Sequence, residues 1–454
     1  MGTLYEGAPS LLQDLKVSIH GSSLVFPSEE AERKSIFLSN IDKVLNFNVE
    51  TVHFFPRNRE YPAERVAEKL KKTLAKVLVP YDFLAGRLKL NPETGRLEIE
   101  CNGGGVGFVS GSSEYALDEI GDLVYPNPAF AQLISKTLDF LKPADDHPLA
   151  IFQVTSFKCG GFSMGISTNH ATFDGLGFKL FLDNLAAVAA DKPLVVDPCN
   201  DRRLLAARSP PLVAFPHPEL LKLNTPAGQD SNPPVFEATQ EDLAFNIFSL
   251  TSADIAHLKE KAKATDGVHT NTRISGFNVV TAHIWRCKAL SCDTGKNMER
   301  LSTILYAVDI RPRLNPPLPA SYSANGVLTA YARASCKELS EGPFARVVEM
   351  VYEGAKRMTD EYARSVIDWG ELYKGFPHGE FLVSSWWKLG FAEVAYPWGR
   401  PRYSCPVVYH RKDIILLFPD INQGCGSNSG VNVLVALPSK EMENFQTLFH
   451  KFLT

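Results

Sequence analysis

The stretch that decides the fold is residues 162–175, which read FSMGISTNHATFDG. Its apolar first half predicts a buried strand, and residues 178–185 carry apolar side chains at helical spacing. His170 therefore lies where a strand ends and a turn begins, a position that often carries a ligand or a reacting group in α/β sheets. Asp174 follows one helical turn later and can fix the local geometry. Gly175 allows either a close approach or a positive φ before the helix.

The H-x-x-x-D pattern at residues 170–174 has two interpretations. Such a match occurs by chance in many chains of this length, so alone it says little about catalysis. Its setting favours a function, because residues 167–170 form a polar cluster directly after an apolar strand. Core strands seldom end in such a cluster without a functional reason. We therefore interpret His170 as a candidate catalytic residue.

Length and composition limit the class of protein. A chain of 454 residues exceeds the usual single-domain range, so two domains are expected. Hydrophobic residues make up 44% and charged residues 22%, as in ordinary globular proteins. A net charge of −4 argues against general nucleic-acid binding, which requires a basic surface. No apolar run is long enough to span a membrane, and no signal peptide is visible, so we expect a cytoplasmic protein.

The cysteine pattern argues against both a disulfide scaffold and a metal site. Eight cysteines in a chain of this length do not form a disulfide framework, and reduced thiols fit better. None of them occurs in a C-x-x-C pair, which excludes the usual zinc and redox motifs. We therefore expect no metal.

Strand-like and helix-like patterns alternate in both halves of the chain. Proline-rich residues 191–240 are too long for an ordinary loop, which predicts a crossover linker between an N-terminal domain at 1–190 and a C-terminal domain at 241–454. A helix between Pro62 and Pro80 is predicted from its apolar spacing. The elements predicted for the second half are a helix at 275–290 with His283 packed inside, a strand at 301–308, one long helix from Pro343 towards Trp369, and strands at 406–418 and 431–437.

Four motifs occur in an order and spacing that are specific only when taken together. They are H-x-x-x-D-G at 170–175, Y-x-x-L-A-G-R-L at 81–88, V-D-x-R at 308–311 and S-S-W at 384–386. With them, nearly the whole chain resembles the plant BAHD-type acyl-CoA-dependent acyltransferases. Residues 37–42, FLSNID, are similar to members that move hydroxycinnamoyl groups onto long-chain ω-hydroxy acids and alcohols.

One family signature is altered. Where the family has D-F-G-W-G, residues 395–399 read AYPWG. Ala395 lacks the acid that would pair with a basic residue, and Pro397 excludes the positive φ that a glycine would allow. The motif is largely structural in the family, so we interpret the change as a subfamily variant that affects the loop and the affinity for acyl-CoA.

The resemblance implies an α/β fold of two chloramphenicol-acetyltransferase-like domains, with mixed sheets, flanking helices and a channel between the domains. Acyl-CoA would enter as a co-substrate from one face and an alcohol or amine from the other. No permanently bound cofactor and no nucleic-acid partner are implied, and a monomer is expected. His170 would take the acceptor's proton during attack on the thioester and then protonate the leaving thiolate. That chemistry predicts direct transfer without an acyl-enzyme.

The resemblance also implies roles for other residues. Asp174 and Gly175 would support the site, with Asp174 turned away from the channel towards Arg311. Trp386 would donate to the oxyanion, an interaction worth about 3 kcal/mol, or would instead pack in the domain interface. The remaining residues implied to bind acyl-CoA are Ser384, Ser385, Trp398 and Gly399.

The expected function is transfer of a hydroxycinnamoyl group from acyl-CoA to a hydroxyl group. Two alternatives stay open: a non-catalytic or regulatory homologue, suggested by the altered signature, and an N-acyltransferase that uses an amine. A hydrolase is disfavoured because the chain lacks the G-x-S-x-G nucleophile elbow.

Overall fold

A computed structural model describes residues 12–30, 32–124, 127–142, 147–223, 241–263, 274–292, 297–407, 411–420 and 430–453. In chain order, the strands are β1 (Val17–Val25), β2 (Lys34–Phe37), β3 (Asn48–Phe55), β4 (Arg87–Leu90), β5 (Leu97–Cys101), β6 (Val106–Ser113), β7 (Ala150–Ser156), β8 (Phe162–Asn169), β9 (Leu220–Lys222), β10 (Ala244–Leu250), β11 (Leu301–Asp309), β12 (Val327–Ser335), β13 (Gly375–Pro377), β14 (Phe381–Ser385), β15 (Tyr403–Pro406), β16 (Ile414–Pro419) and β17 (Val431–Leu437).

The helices lie between the strands in both halves of the chain, as the sequence predicts. They are α1 (Asn40–Lys43), α2 (Ala63–Val77), α3 (Gly175–Ala189), α4 (Ser252–Lys263), α5 (Gly276–Ser291), α6 (Cys336–Glu341), α7 (Phe344–Arg357), α8 (Asp360–Leu372) and α9 (Ser439–Leu453). Within the described ranges, none of them is long and apolar enough to cross a membrane.

The first domain is built on a six-stranded mixed sheet in the order β1-β6-β7-β8-β3-β15. Every residue of β8 is buried, because α2 and α3 cover one face of the sheet and the segment around Leu133 packs closely against the other face of the strand. Phe162, Met164 and Ile166 enter the first-domain core, and the small residues Ser163 and Gly165 between them face the other way, as the two-residue period of a strand requires. The predicted strand and the helix after it are both confirmed.

The second domain is built on a sheet of the same size, in the order β10-β17-β16-β14-β11-β12. Helices α4, α5, α7 and α9 cover it and enclose a separate apolar core. His283 lies in α5 with its ring 4.6 Å from that of Phe449 in α9, so its prediction as a packed helix residue is confirmed. The α/β class with mixed sheets and flanking helices is also confirmed.

A third apolar cluster joins the two sheets. It combines Phe54 and Phe130 from the first domain with Leu416, Phe418 and Leu434 from the second. All five side chains are largely removed from water. Burial of this kind is the main force that holds two packed layers together, so the domains share one continuous apolar interface.

The predicted strand at 406–418 is wrong, because two strands in different sheets occupy that region. β15 pairs antiparallel with β3 in the first-domain sheet, whereas β16 pairs with β14 and β17 in the second. The N–H of Val407 still donates to the carbonyl of Glu50 at 2.9 Å, so the pairing with β3 extends just beyond Pro406. The chain thus returns briefly to the first sheet before it completes the second.

The predicted long helix from Pro343 towards Trp369 is also wrong. Helix α7 ends at Arg357 and α8 begins at Asp360. Between them Thr359 has an extended backbone, and its side chain accepts a hydrogen bond from the N–H of Tyr362. Threonine followed by acidic residues is a strong N-cap sequence, and here it starts a new helix.

The proline-rich crossover segment packs against the domains over its described part, residues 191–223. β9 pairs antiparallel with β13, and Arg208 forms a 2.6 Å ion pair with Asp368 of α8. Arg202 is fully buried beneath the turn that follows β8. Residues 224–240 of the predicted linker lie outside the described residues. The described part therefore contributes side chains to the protein interior.

Candidate active site

The β3–β8 pair delivers His170 to the edge of the first-domain sheet. The ladder ends at Asn48 and Asn169, and the N–H of His170 then donates to the carbonyl of Phe47 at 2.8 Å. The aromatic ring of Phe47 lies 5.3 Å from the imidazole. His170 is partly exposed, although the eight residues of β8 before it are buried. The sheet thus presents one imidazole at its edge on a rigid backbone.

Burial lowers the pKa of His170 below its ordinary value. Its own backbone, the charge of Asp174 and the side chain of Asn325 act in the opposite direction and limit the decrease. The ring is therefore neutral at pH 7 and can accept a proton. Its Nδ1 atom is buried and has no hydrogen-bond partner among the described residues.

The carboxylate of Asp174 is fully engaged away from the imidazole. Arg311 holds it in a bidentate pair, with Nη2 to Oδ1 and Nη1 to Oδ2 each at 2.9 Å. The N–H groups of Gly177 and Gly326 each donate to it at 2.8 Å. Asp174 is therefore the N-cap of α3 and the partner of Arg311 at once. This differs from a Ser-His-Asp triad, in which the acid holds the imidazole itself.

Arg311 lies in a turn after β11 and connects the second domain to this loop. Besides the pair with Asp174, it donates to the carbonyls of Tyr322 and Ala324 and to the carboxylate of Asp309. Burial alone would lower its pKa, but the charge of Asp174 raises the pKa above its ordinary value. The Asp174–Arg311 contact implied by the resemblance is thus present, and it crosses the domain interface.

Two glycines allow this close contact. A Cβ atom on Gly177 would lie 2.0 Å from the backbone oxygen of Ser323, so no other residue fits there. A Cβ on Gly175 would lie 2.7 Å from a methyl carbon of Leu389. Gly175 is not among the positive-φ residues. Of the two explanations offered by the sequence for Gly175, the structure supports close approach.

Sequence reasoning missed three polar residues beneath the turn at 170–172. Asn325 donates to the carbonyl of His170 at 2.9 Å. Arg202 donates to the carbonyls of Ala171 and Thr172, at 2.7 and 3.0 Å. Asp42 accepts from both Asn325 and Arg202, each at 2.8 Å. Their separation in the sequence hid them, and no local motif joins them.

Trp386 and the two serines before it lie at the carboxyl end of β14. Ser384 and Ser385 pair with Leu416 and Leu417 of β16 and are partly exposed. The indole of Trp386 packs edge-on against Phe391 at 5.3 Å and touches both the first-domain core and the cluster that joins the two sheets. These contacts favour the packing interpretation of Trp386; a role in holding the oxyanion stays a prediction, as does acyl-CoA binding by the serines.

The altered signature forms a tight, well-packed turn. Tyr396 and Gly399 exchange backbone hydrogen bonds at 3.0 and 3.2 Å, and their intervening residues make the turn. Trp398 is 1% exposed, stacks on Tyr396 at 5.0 Å and meets Phe55 edge-on. The positive φ of this loop, 117°, falls on Gly399, so Pro397 creates no conflict. Such burial supports a structural role for Trp398, and acyl-CoA binding by Trp398 and Gly399 stays a prediction.

Solved structures share this architecture. Vinorine synthase superposes with a TM-score of 0.71 at 22% identity, covering 94% of this chain and 96% of that one. Fusarium graminearum TRI101 complexed with ethyl coenzyme A superposes with a TM-score of 0.72 at 13% identity, covering 92% and 97%. At these identities the likeness establishes the fold, which is the two-domain chloramphenicol-acetyltransferase-like architecture.

Sequence relatives establish the family. A model described as the Transferase family matches residues 15–451. The acyltransferase GLAUCE of Arabidopsis thaliana is 64% identical, with 100% of both chains covered. Omega-hydroxypalmitate O-feruloyl transferase of the same plant is 33% identical, covering 96% of this chain and 93% of that one. The chain therefore belongs to the BAHD family of acyl-CoA-dependent acyltransferases.

Proposed function

We propose that the protein transfers a hydroxycinnamoyl group from acyl-CoA to a hydroxyl group, with His170 as the general base. The observation that carries the proposal is the arrangement around His170. A neutral imidazole stands at the end of β8, and Asp174 is held by Arg311 on a different side of the turn. Because Asp174 does not bind the imidazole, His170 suits the role of a general base that acts directly on the acceptor.

The proposed reaction is a single direct transfer. The acceptor oxygen attacks the thioester carbonyl while the imidazole removes its proton, and the resulting imidazolium then protonates the departing thiolate of CoA. One C–O bond forms, one C–S bond breaks, and the proton passes from the hydroxyl group to the thiol. The resemblance makes Trp386 the candidate donor to the oxyanion in this step.

The substrate class is supported by the relatives. Beside the O-feruloyl transferase, a fatty alcohol:caffeoyl-CoA acyltransferase of Arabidopsis thaliana is 32% identical over 93% of this chain. Tract 37–42, which the sequence links to such enzymes, runs from the end of β2 into α1 and places Asp42 beneath the turn that follows His170. We therefore propose a long-chain primary alcohol or ω-hydroxy acid as the acceptor.

The test is a matrix of donors and acceptors. Feruloyl-, caffeoyl- and acetyl-CoA are each combined with a long-chain primary alcohol, an ω-hydroxy fatty acid, shikimate and an aromatic amine. Products are identified by mass spectrometry, and free thiol is followed with and without acceptor. The proposal requires an ester product and thiol release that depends on the acceptor.

Three other outcomes would each overturn the proposal. An amide as the main product would indicate an N-acyltransferase. Thiol release independent of acceptor would indicate a thioesterase. Binding of acyl-CoA without turnover by any pair would indicate a non-catalytic family member.

A further inference from the structure

A thiol, an ammonium group and a carboxylate meet where α5 ends and α9 begins. Nζ of Lys288 lies 2.7 Å from Sγ of Cys292, which follows one helical turn later at the end of α5. The thiol donates to Oε2 of Glu441 in the first turn of α9 at 3.2 Å, and the same oxygen lies 3.5 Å from Nζ of Lys288. The proposed acyl transfer uses none of these three groups.

The environment of Lys288 is unusual for a lysine. Of the lysines that the structure describes, only Lys288 is buried, with 4% of its side chain exposed. A buried charge is normally paired and hydrogen-bonded on all sides. Within the described ranges, the polar partners of this ammonium are one thiol and one carboxylate oxygen. The lysine nitrogen is therefore held against a sulfur atom, which is only a weak hydrogen-bond acceptor.

The thiol of Cys292 is not set up as a catalytic nucleophile. Burial raises its pKa, and the neighbouring charge of Lys288 opposes that change. A catalytic cysteine usually has a lowered pKa instead. Of the seven described cysteines, Cys292 is the one whose sulfur has a lysine nitrogen within hydrogen-bonding distance. It is also partly exposed, within reach of a small oxidant. The distinguishing feature of this thiol is thus the amine beside it.

Oxidation of this thiol gives the lysine nitrogen a reaction partner. Hydrogen peroxide converts a thiol to a sulfenic acid, which condenses with a thiol to a disulfide or with a nitrogen to a sulfenamide. All seven described cysteines are free of disulfides, and the nucleophile in contact with the sulfur of Cys292 is Nζ of Lys288. The carboxylate of Glu441 lies close enough to remove a proton from that nitrogen. The cluster therefore holds the electrophile, the nucleophile and the base of one condensation.

We propose that Lys288 and Cys292 are joined by a sulfenamide cross-link when the protein reacts with hydrogen peroxide. Peroxide transfers one oxygen to the sulfur of Cys292 and releases its other oxygen as water, which oxidises the thiol to a sulfenic acid by two electrons. Glu441 takes one proton from the ammonium of Lys288, and the freed lone pair attacks the sulfur. The N–S bond forms as the S–O bond breaks, and the departing hydroxide takes a second proton from the nitrogen and leaves as water. The cross-link blocks further oxidation to the irreversible sulfinic acid.

Peptide mass spectrometry detects the cross-link without substrate. The protein is treated with hydrogen peroxide in mildly alkaline buffer, unfolded without reductant, alkylated with iodoacetamide and digested with trypsin. Trypsin cleaves after Lys288 only while its amine is free. We expect residues 287–296, CKALSCDTGK, as one uncleaved peptide in which Cys287 is alkylated and the Lys288–Cys292 pair has lost two hydrogen atoms. Dithiothreitol should cleave the N–S bond, becoming a disulfide itself, and restore cleavage after Lys288.

Two other cysteines serve as internal controls. Alkylation of Cys287 excludes a disulfide between Cys287 and Cys292, which would also remove two hydrogen atoms. Cys199 is partly exposed, and the structure shows no lysine against its sulfur among the described residues, so it should be oxidised without cross-linking. Cleavage after Lys288 while Cys292 carries a sulfenic or sulfinic acid would overturn the inference. So would a product that retains oxygen between nitrogen and sulfur, or a Cys292 that stays reduced while Cys199 is oxidised.

Lys288→Arg separates the cross-link from simple oxidation. Arginine keeps a cation beside Glu441, but its guanidinium is always protonated and cannot attack sulfur. At equal peroxide, this variant should accumulate several-fold more sulfinic acid at Cys292 than the parent protein.

Glu441→Gln covers the case in which Lys288→Arg does not fold. It removes the base while keeping the shape of the side chain, and it should slow cross-linking several-fold. Equal sulfinic acid in the parent and a folded Lys288→Arg, or an unchanged rate in a folded Glu441→Gln, would contradict the inference. These measurements need no acyl transfer, so failure of the proposed function would leave them unchanged.

Discussion

At the scale of the residue, the pKa of His170 decides when the site is active. Burial lowers this pKa, and the neutral ring is the reactive form of a general base. The rate must therefore persist to lower pH than an ordinary histidine would allow. We expect the acidic limb of kcat/KM, measured at saturating acyl-CoA, to lie below the usual histidine pKa of about 6.5. A limb above that value would contradict the lowered pKa of His170.

The pair of Asp174 and Arg311 is the second feature at this scale. Loss of one partner leaves a buried charge alone, which typically costs about 3–5 kcal/mol. Asp174→Asn and Arg311→Gln should each lower the free energy of unfolding in urea. The double variant should cost less than the sum by about 1 kcal/mol or more, because the two groups touch.

The matched control for that cycle is an exposed ion pair in α7, Arg346 with Glu349. Arg346→Gln should change stability by less than about 1 kcal/mol, since exposed pairs contribute little. Additive effects for Asp174 and Arg311 would mean that the contact does not form in solution.

At the scale of the element, the turn at 395–399 replaces the family's acidic signature with a compact hydrophobic hairpin. Ala395→Asp with Pro397→Gly restores the usual residues. Glycine enlarges the entropy of the unfolded chain by about 0.4–1 kcal/mol, and position 395 is exposed, where a charge pair contributes little. We expect the double variant to be neutral or less stable, with unchanged kcat. A large gain in kcat would instead mean that the natural sequence reduces catalytic activity.

Some elements of the fold could be predicted from the sequence, and others could not. Strand β8 and helix α3 were predictable, because apolar residues alternate with small ones at the start of β8 and recur at helical spacing in α3. The separation of β15 from β16 was not, since pairing partners such as Phe54 for Tyr403 are set by tertiary packing. The break at Thr359 carried a local signal, its capping sequence, that apolar periodicity obscured.

The residues of the candidate site were likewise only partly predictable from the sequence. His170 and Asp174 stand in one local motif, and Arg311 follows from the resemblance. Asp42, Arg202 and Asn325 come from segments far apart in the chain, and nothing local in any of them specifies the other two. Their grouping arises only when the crossover segment and both domains close on the turn after β8.

At the scale of the whole molecule, buried histidines tie stability to pH. His53 lies in β3, with its ring 2.8 Å from the hydroxyl of Ser404 in β15, and His283 lies in the second core; burial lowers the pKa of each to about 3. In the unfolded chain they titrate near 6.5. As the pH falls below that value, these histidines bind protons in the unfolded state but stay neutral in the folded state. The free energy of unfolding therefore decreases as the pH falls towards 3.

His283→Leu isolates one of these contributions. Neither ring nitrogen of His283 has a hydrogen-bond partner among the described residues, so leucine should be tolerated at pH 7. Between pH 7 and pH 5 the parent should lose about 2 kcal/mol more unfolding free energy than the variant. His20, which is exposed, supplies the control as His20→Ala. Equal losses in parent and His283→Leu would show that His283 is protonated in the folded protein.

The most direct test of the account is the turnover of His170→Ala with the best donor and acceptor pair. General-base catalysis is typically worth at least about 10²-fold in rate. We predict that kcat falls by that factor or more, while the thermal melting temperature and the Kd for acyl-CoA stay near those of the parent. A folded His170→Ala protein that retains near-parental kcat would contradict the central claim, because the acceptor's proton would then leave by another route.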